Sequence, residues 1–214
     1  MKPWMALRSA DLDHERREGA DEDVHFTEGL VEAVVGEYTD PGDLVLDPFA
    51  GYGTTLVVAE RMGRRAVGIE LLDERAELVR GHLGAAATVI AGDSRVLSAL
   101  IDEPVALCLT SPPYMTMTDH PENPLNAYET LDGDYATYLD EIGGVFKQVA
   151  ELLRPGGHAV LNVANISHEG VVTPLAWDIA RVVSQHLTFQ RETFLCWDSA
   201  PEWLTGDYAL VFRR

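Results

Sequence analysis

The chain of 214 residues is long enough for one domain with a sizeable core, since a domain of this size buries about 70 to 75% of its unfolded surface. Its 46% hydrophobic and 24% charged residues exclude a disordered chain, a collagen or a coiled coil as the main structure. With 16 Lys and Arg against 35 Asp and Glu, the formal net charge of −19 repels polyanions, so binding to nucleic acid needs separate evidence.

The amino-terminal segment, residues 1–24, mixes both charge signs without a sustained period, and we interpret it as a flexible or loosely docked arm. Acidic residues such as Asp11 and Glu15 occupy the place where a signal peptide needs an apolar core. Cys108 and Cys196 lie in apolar runs and form neither a Cys-x-x-Cys pair nor a ligand cluster, so we expect reduced thiols. Together these features favour a cytoplasmic protein.

Residues 25–214 are predicted to form a single domain in which strands and helices alternate. Short apolar runs typical of buried strands occur at 44–46, 66–69, 88–90, 105–109 and 159–163. Helical spacing lies between them at 54–62, 73–83, 135–153 and 174–186. Strand-like segments at 189–197 and 208–212 are separated only by a loop, which predicts an antiparallel hairpin. The expected fold is therefore α/β and Rossmann-like, with a seven-stranded, mostly parallel sheet and helices on both faces.

The strongest motif is Asp-Pro-Phe-Ala-Gly-Tyr-Gly-Thr-Thr, residues 47–55. A strand runs into a turn that opens a helix, and Gly51 and Gly53 allow the backbone to approach a bound ligand closely. A dinucleotide fingerprint uses the same device, but Leu56 occupies the place of its third small residue and Asp-Pro-Phe is foreign to it. A phosphate-binding P-loop is excluded because no Gly-Lys-Ser/Thr follows.

One acidic residue follows each of three successive predicted strands: Asp47, Glu70 and Asp93. Each alone is more often a helix cap or a solvated loop carboxylate. As an ordered set along the carboxyl edge of a sheet, they favour a cofactor that contains adenosine. Glu70 is placed to accept hydrogen bonds from both ribose hydroxyls, and Asp93 from an adenine amino group.

A second motif, Thr110-Ser111-Pro112-Pro113-Tyr114, directly follows the strand predicted at 105–109. The prolines lack N–H groups, which leaves backbone carbonyls as acceptors. Hydrogen bonds from an exocyclic amino group to the Ser111 hydroxyl and the Pro112 carbonyl would favour a pyramidal nitrogen with its lone pair free to attack. Tyr114 offers a stacking face. The same residues also suit a rigid polyproline-type turn without any ligand.

In this order, the two motifs resemble those of the S-adenosylmethionine-dependent amino-methyltransferases that modify cytosine N4 or adenine N6 in DNA. The resemblance covers roughly residues 25–214 and includes 152–157 and 207–213. It implies a class I methyltransferase fold, S-adenosylmethionine as the cofactor and no evident target-recognition domain. Serine at position 111 is more typical of the cytosine-N4 branch.

Carried onto this chain, the resemblance implies a cofactor site without a metal. Its residues are His25, Phe26, Thr27, Asp47, Pro48, Phe49, Gly51, Gly53, Thr54, Thr55, Glu70, Asp93, Ser94 and Thr110. The implied catalytic residues are Ser111, Pro112, Pro113 and Tyr114. No general base is required, because the amine can release its proton after methyl transfer, and we interpret His120 as a solvated loop residue.

Residues 115–144 form an acidic insertion beside the acceptor motif, without a single Lys or Arg. It is unlike a DNA-binding surface, which neutralises phosphates with basic residues. One interpretation is a lid with Tyr128, Tyr135 and Tyr138 as aromatic contacts, although the helical spacing of Tyr135 and Tyr138 is more typical of core packing.

Three functional hypotheses remain. The first is a DNA cytosine or adenine N-methyltransferase. The second is the same chemistry on a small heteroaromatic amine or an RNA base, and the acidic insertion favours the small amine. The third is a cofactor-binding subunit that is inactive alone or depends on a basic partner subunit for target recognition.

Overall fold

The computed structural model describes residues 1–16, 26–117, 122–127, 129–130 and 133–214. The strands are β1 Trp4–Leu7, β2 Leu44–Asp47, β3 Arg65–Glu70, β4 Ala87–Ala91, β5 Val105–Thr110, β6 Leu153–His168, β7 Val171–Thr173, β8 Thr188–Trp197 and β9 Leu204–Arg213. The helices are α1 Ser9–Glu15, α2 Glu28–Tyr38, α3 Thr54–Arg61, α4 Asp73–Arg80, α5 Leu97–Leu100, α6 Tyr135–Leu152 and α7 Leu175–Val183. Within these ranges, no helix is both long and apolar enough to cross a membrane.

One sheet runs through the molecule in the order β1-β8-β9-β6-β5-β2-β3-β4, and β7 pairs with β6 outside this path. Strands β2 to β6 run parallel to one another, whereas β9 is antiparallel to both of its neighbours, β6 and β8. The predicted alternation of strands and helices and the carboxyl-terminal antiparallel hairpin are therefore confirmed.

The sheet has nine strands where the sequence predicted seven. The first additional strand, β1, lies in the segment interpreted as an arm, and Trp4 to Leu7 pair in parallel with the end of β8. The second, β7, forms because β6 extends to His168 and turns back through Glu169 and Gly170. Both turn residues have positive φ, 49° and 79°, as a two-residue hairpin turn requires. Edge strands of three or four residues carry too little periodicity to be predicted from sequence.

Helices cover both faces of the sheet. Helices α2, α3 and α4 pack on one face, and α5, α6 and α7 pack on the other. Strand β5 is buried along its whole length. Leu107 and Leu109 belong to the core on the side of α2, α3 and α4, and Cys108 belongs to the core on the side of α5, α6 and α7. Side-chain caps fix two helix starts: Thr27 accepts from the N–H of Leu30, and Asp134 accepts from the N–H of Thr137.

The strand order reverses between β2 and β5, which are adjacent and paired at Val45–Leu107 and Leu46–Cys108. From β2 the sheet continues to β3 and β4, and from β5 it continues in the other direction to β6. In open α/β sheets, ligands bind at the carboxyl ends of the strands beside such a reversal. Both sequence motifs begin at this edge, at the last residue of β2 and of β5.

Candidate active site

The two motifs are joined by a hydrogen bond at the point where the strand order reverses. The Thr110 hydroxyl, at the end of β5, donates to Oδ1 of Asp47, at the end of β2, over 2.6 Å. The glycine turn and the Ser-Pro-Pro-Tyr segment therefore leave the sheet side by side.

Asp47 lies beneath the glycine turn and is only 2% exposed. Its carboxylate accepts from the backbone N–H of Phe49 at 3.1 Å and from the hydroxyls of Thr55 and Thr110. Burial raises the pKa of Asp47 to about 6, although these hydrogen bonds oppose the rise. Asp47 thus holds the glycine turn against strand β5.

The glycine turn needs two left-handed residues, Gly51 with φ 52° and Gly53 with φ 79°. A Cβ on Gly53 would lie 2.7 Å from Cγ1 of Val79, so this glycine is required where α3 packs against α4. A Cβ on Gly51 would meet nothing nearer than the Phe49 carbonyl at 4.0 Å. Gly51 therefore borders open space, as the backbone of a ligand cradle does.

Glu70 fixes the same turn from the end of β3. Its Oε2 accepts from the N–H of Gly51 and its Oε1 from the N–H of Leu72, both at 3.0 Å. Burial raises the pKa of Glu70, against the opposing effects of these bonds and of Arg75, which lies 3.9 Å away. Each carboxylate oxygen keeps a lone pair, so Glu70 can hold the turn and also accept from a ribose hydroxyl.

Asp93 is already engaged by Arg95, which sequence reasoning missed. The guanidinium contacts Oδ1 and Oδ2 of Asp93 at 2.7 to 3.0 Å, and the Arg95 backbone N–H donates to Oδ1. Burial pushes the pKa of Asp93 upward, but these hydrogen bonds lower it overall. The next residue, Ser94, is buried and donates its hydroxyl to the Pro48 carbonyl, which ties this loop to the glycine turn.

The acceptor motif is held from two sides. The Tyr138 hydroxyl on α6 donates to the Pro113 carbonyl at 2.8 Å. The Tyr114 hydroxyl accepts from the backbone N–H of Ala164 on β6 at 3.1 Å. Pro112 is buried and Ser111 is half-buried. With the Pro113 carbonyl engaged, the Ser111 hydroxyl and the Pro112 carbonyl are the acceptors that this motif can present to an amino group.

Parts of the sequence are similar to known DNA methylases. Residues 8–80, which include the glycine turn and Glu70, match a family model described as DNA methylase. A stretch of 58 residues is 47% identical to the type II methyltransferase M2.DpnII of Streptococcus pneumoniae. Over these stretches the chain is similar to DNA amino-methyltransferases. The matched stretch covers 27% of this chain and only 22% of that relative's length.

Solved structures support the fold over most of the chain. TrmN of Thermus thermophilus superposes with a TM-score of 0.63 at 17% identity, over 88% of this chain and 49% of that one. The N-methyltransferase NodS of Bradyrhizobium japonicum WM9 superposes with a TM-score of 0.62 at 13% identity, over 96% and 98%. At these identities the likeness shows the fold alone. It confirms the predicted class I methyltransferase fold.

The structure gives structural tasks to other residues that the resemblance placed at the cofactor. Phe26 is buried in the core beside α2, and Thr27 caps that helix. Thr54 and Thr55 are buried in the first turn of α3, which follows the glycine turn directly. His25, His120 and Tyr128 lie outside the described residues.

A groove of about 420 Å³ borders the site on the Glu70 side. Its lining residues are Leu71, Leu72, Asn126, Ala127, Glu129 and Thr130. The first two directly follow Glu70, and the other four belong to the acidic insertion. Part of the insertion therefore lies near the end of β3.

Two tyrosines predicted as core residues differ in their surroundings. Tyr138 is 1% exposed and packs in the core, as its helical spacing predicted. Tyr135 is half-buried, and its hydroxyl donates to Asp178 on α7 at 2.9 Å. The bond from Tyr138 to the acceptor motif had no sequence signal, because it depends on how α6 is placed against β5.

Proposed function

We propose that this chain transfers the methyl group of S-adenosylmethionine to an exocyclic amino nitrogen of a nucleobase in DNA, cytosine N4 or adenine N6. The observation that carries the proposal is the Thr110–Asp47 hydrogen bond, which brings the glycine turn and the Ser-Pro-Pro-Tyr motif together. The relationship to DNA methylases supports DNA as the acceptor.

The donor set near the glycine turn fits the cofactor. Glu70 would accept from the ribose hydroxyls, and the open space beside Gly51 leaves room for the chain of the methionine end. Within the resemblance, Phe49 completes this half of the site, and the buried Thr54 and Thr55 support the turn from the start of α3. When bound, S-adenosylmethionine supplies a methyl group on a positively charged sulfur.

The protein's own part in the reaction is to bind and orient the acceptor amine. The Ser111 hydroxyl and the Pro112 carbonyl would accept its two N–H bonds, which favours a pyramidal nitrogen over the planar, delocalised form. Tyr114 would provide a stacking surface whose position is set by the bond to Ala164. The nitrogen can lose its proton to solvent after the transfer, so no residue is assigned as a general base.

Target recognition is a separate part of the proposal. The net charge of −19 and the absence of Lys and Arg from the insertion are unfavourable for DNA phosphates. We therefore propose that basic contacts come from a partner subunit. The acidic insertion would also suit a small cationic heteroaromatic amine, which is the alternative acceptor. A cytoplasmic location stays a prediction.

Transfer of tritiated methyl groups to duplex DNA tests the proposal. We expect Ser111→Ala to lower the rate about 100-fold, as loss of one transition-state hydrogen bond does. Tyr114→Ala should lower it at least about tenfold through lost stacking. Ser98→Ala is the matched control, because that hydroxyl lies on an exposed face of α5 and donates to the Gln148 side chain of α6.

Other acceptors distinguish the alternatives. A wild-type protein that binds S-adenosylhomocysteine but labels small amines and never DNA, at any salt concentration, would favour the small-molecule hypothesis. Cofactor binding without any acceptor would favour a non-catalytic subunit. Addition of a basic partner that restores DNA labelling would support the proposed assembly.

A further inference from the structure

Residues 122–127 and 129–130 of the acidic insertion, hereafter the insertion loop, are closed by their own hydrogen bonds. The Asn123 side chain accepts from the N–H of Leu125 at 2.9 Å, and its backbone N–H donates to the Thr130 carbonyl at 3.1 Å. The Asn126 amide donates to the Thr130 hydroxyl at 3.0 Å. Leu125 is buried in the core on the side of α5, α6 and α7, so the loop is anchored to the domain.

Arg95 joins the insertion loop to two other elements. Its Nη2 lies 2.7 Å from Oδ1 of Asn126 and 2.7 Å from Oδ2 of Asp93. Its Nη1 lies 3.0 Å from Oε1 of Glu141 on α6. The other oxygen of Glu141 is buried and has no hydrogen-bond partner among the described residues. Arg95 thus links the loop after β4 to both the insertion loop and α6.

The groove of about 420 Å³ separates the insertion loop from Leu71 and Leu72. The N–H of Leu72 is bonded to Glu70, so the groove adjoins the carboxylate proposed for the ribose. One side offers leucine side chains, and the other offers amide and hydroxyl groups from Asn126 and Thr130. A purine has apolar faces and a polar edge, which suits a site with these two kinds of surface.

We propose that the insertion loop, held by Arg95, forms the outer wall of the adenosine site. The inference rests on the proposed function, because it takes S-adenosylmethionine as the ligand. The acidic insertion then serves the cofactor and not the DNA, which removes the conflict between its charge and a polyanionic substrate. Asp93 becomes a positioning residue, since its carboxylate orients Arg95.

The variant Asn126→Ala tests this wall with least damage to the fold. It removes the contacts of Asn126 with Arg95 and Thr130 and leaves the bonds from Arg95 to Asp93 and Glu141. Arg95→Ala is less suitable, because it would leave the partly buried Glu141 carboxylate without its described counter-charge. Arg65→Ala is the control: it removes a bidentate pair with Glu103 at the opposite, amino-terminal end of β3.

Calorimetry with S-adenosylhomocysteine and with adenosine gives the dissociation constants. We expect Asn126→Ala to weaken both ligands about tenfold, because Arg95 no longer holds the insertion loop, and to lower the melting temperature of the free protein only slightly. Hydrogen exchange should show that S-adenosylhomocysteine protects the insertion-loop amides in the wild type and much less in the variant. Arg65→Ala should behave as the wild type in both measurements.

Two outcomes would overturn the inference. Equal affinities and equal protection in wild type and Asn126→Ala would refute the proposed role of the insertion loop and leave the cofactor proposal in place. A wild-type protein that binds neither S-adenosylhomocysteine nor adenosine would remove both.

Discussion

The buried carboxylate of Asp47 should make the stability of the free protein depend on pH in a way that one substitution removes. The folded pKa of Asp47 is about 6, against its usual 3.8, because burial disfavours the charged form. For an acid with a raised pKa, the folded state holds the proton more tightly than the unfolded state. Stability therefore rises as pH falls below about 6 and is lower above it.

The size of the effect follows from the two pKa values. The difference between 3.8 and about 6 corresponds to a cost of about 3 kcal/mol at neutral pH. Between pH 7.5 and pH 5, the linkage relation gives a gain in stability of about 1.4 kcal/mol from this one group. Asn at position 47 cannot ionise, so Asp47→Asn should lack this gain.

Urea denaturation followed by tryptophan fluorescence, without cofactor, measures the free energy of unfolding at each pH. The quantity compared is the difference between wild type and Asp47→Asn. An amide at this position must face one hydroxyl or N–H donor unfavourably, at a cost of about 1 kcal/mol, but that cost does not vary with pH. We expect the difference to shift in favour of the wild type by about 1.4 kcal/mol on going from pH 7.5 to 5.

A second variant tests the cause of the shift. Thr110→Val removes a hydroxyl that lowers the pKa of Asp47, so the pH dependence should move to higher pH in that protein. A difference between wild type and Asp47→Asn that stays constant within about 0.5 kcal/mol from pH 7.5 to 5 would refute the assignment of a raised pKa to Asp47.

Other predictions concern packing and positioning. Gly53→Ala should destabilise the protein by at least about 2 kcal/mol, because the residue has positive φ and its Cβ would overlap Val79. A Cβ added at Gly144, in the middle of α6, would meet no atom within 4 Å, so Gly144→Ala should stabilise the protein by about 0.5 to 1 kcal/mol. Equal denaturation midpoints for the wild type and Gly144→Ala would contradict this. Tyr138→Phe should slow methyl transfer without changing the affinity for S-adenosylhomocysteine; a parallel loss of affinity, measured by calorimetry, would argue against its role in holding the acceptor loop. Leu7→Ala should cost about 2 to 3 kcal/mol and expose β1 to hydrogen exchange, and an unchanged melting curve would show that β1 contributes little to the core.

The sequence alone was sufficient for the main architecture. The buried strands 44–46 and 105–109 are apolar on both faces, and that pattern has few alternatives to a covered parallel sheet. The alternation with helices then limits the connections, and the two motifs at adjacent strand ends predict a shared crevice. The similarity of residues 8–80 to DNA methylases supports the family that those motifs resembled.

Short elements and the detailed tasks of single residues depended on tertiary contacts. Strand β1 exists because β8 offers a partner, and its four residues carry no pattern of their own. Asp47 was predicted as a cofactor residue, and only the structure showed that its carboxylate is buried among three donors. Arg95 contacts Asp93, two residues before it in the chain, but also Glu141 and Asn126, which are distant in sequence.

The difference between what the sequence predicts and what only the tertiary structure shows has a physical basis. Periodicity and glycine turns are local properties that the backbone imposes within a few residues, so the sequence by itself determined the fold class and the two motifs at the sheet edge. Hydrogen-bond partners and pKa values depend on which groups lie within a few ångströms after folding. Only the tertiary structure could therefore decide that Tyr138 holds the acceptor loop and that the insertion loop lies beside Glu70.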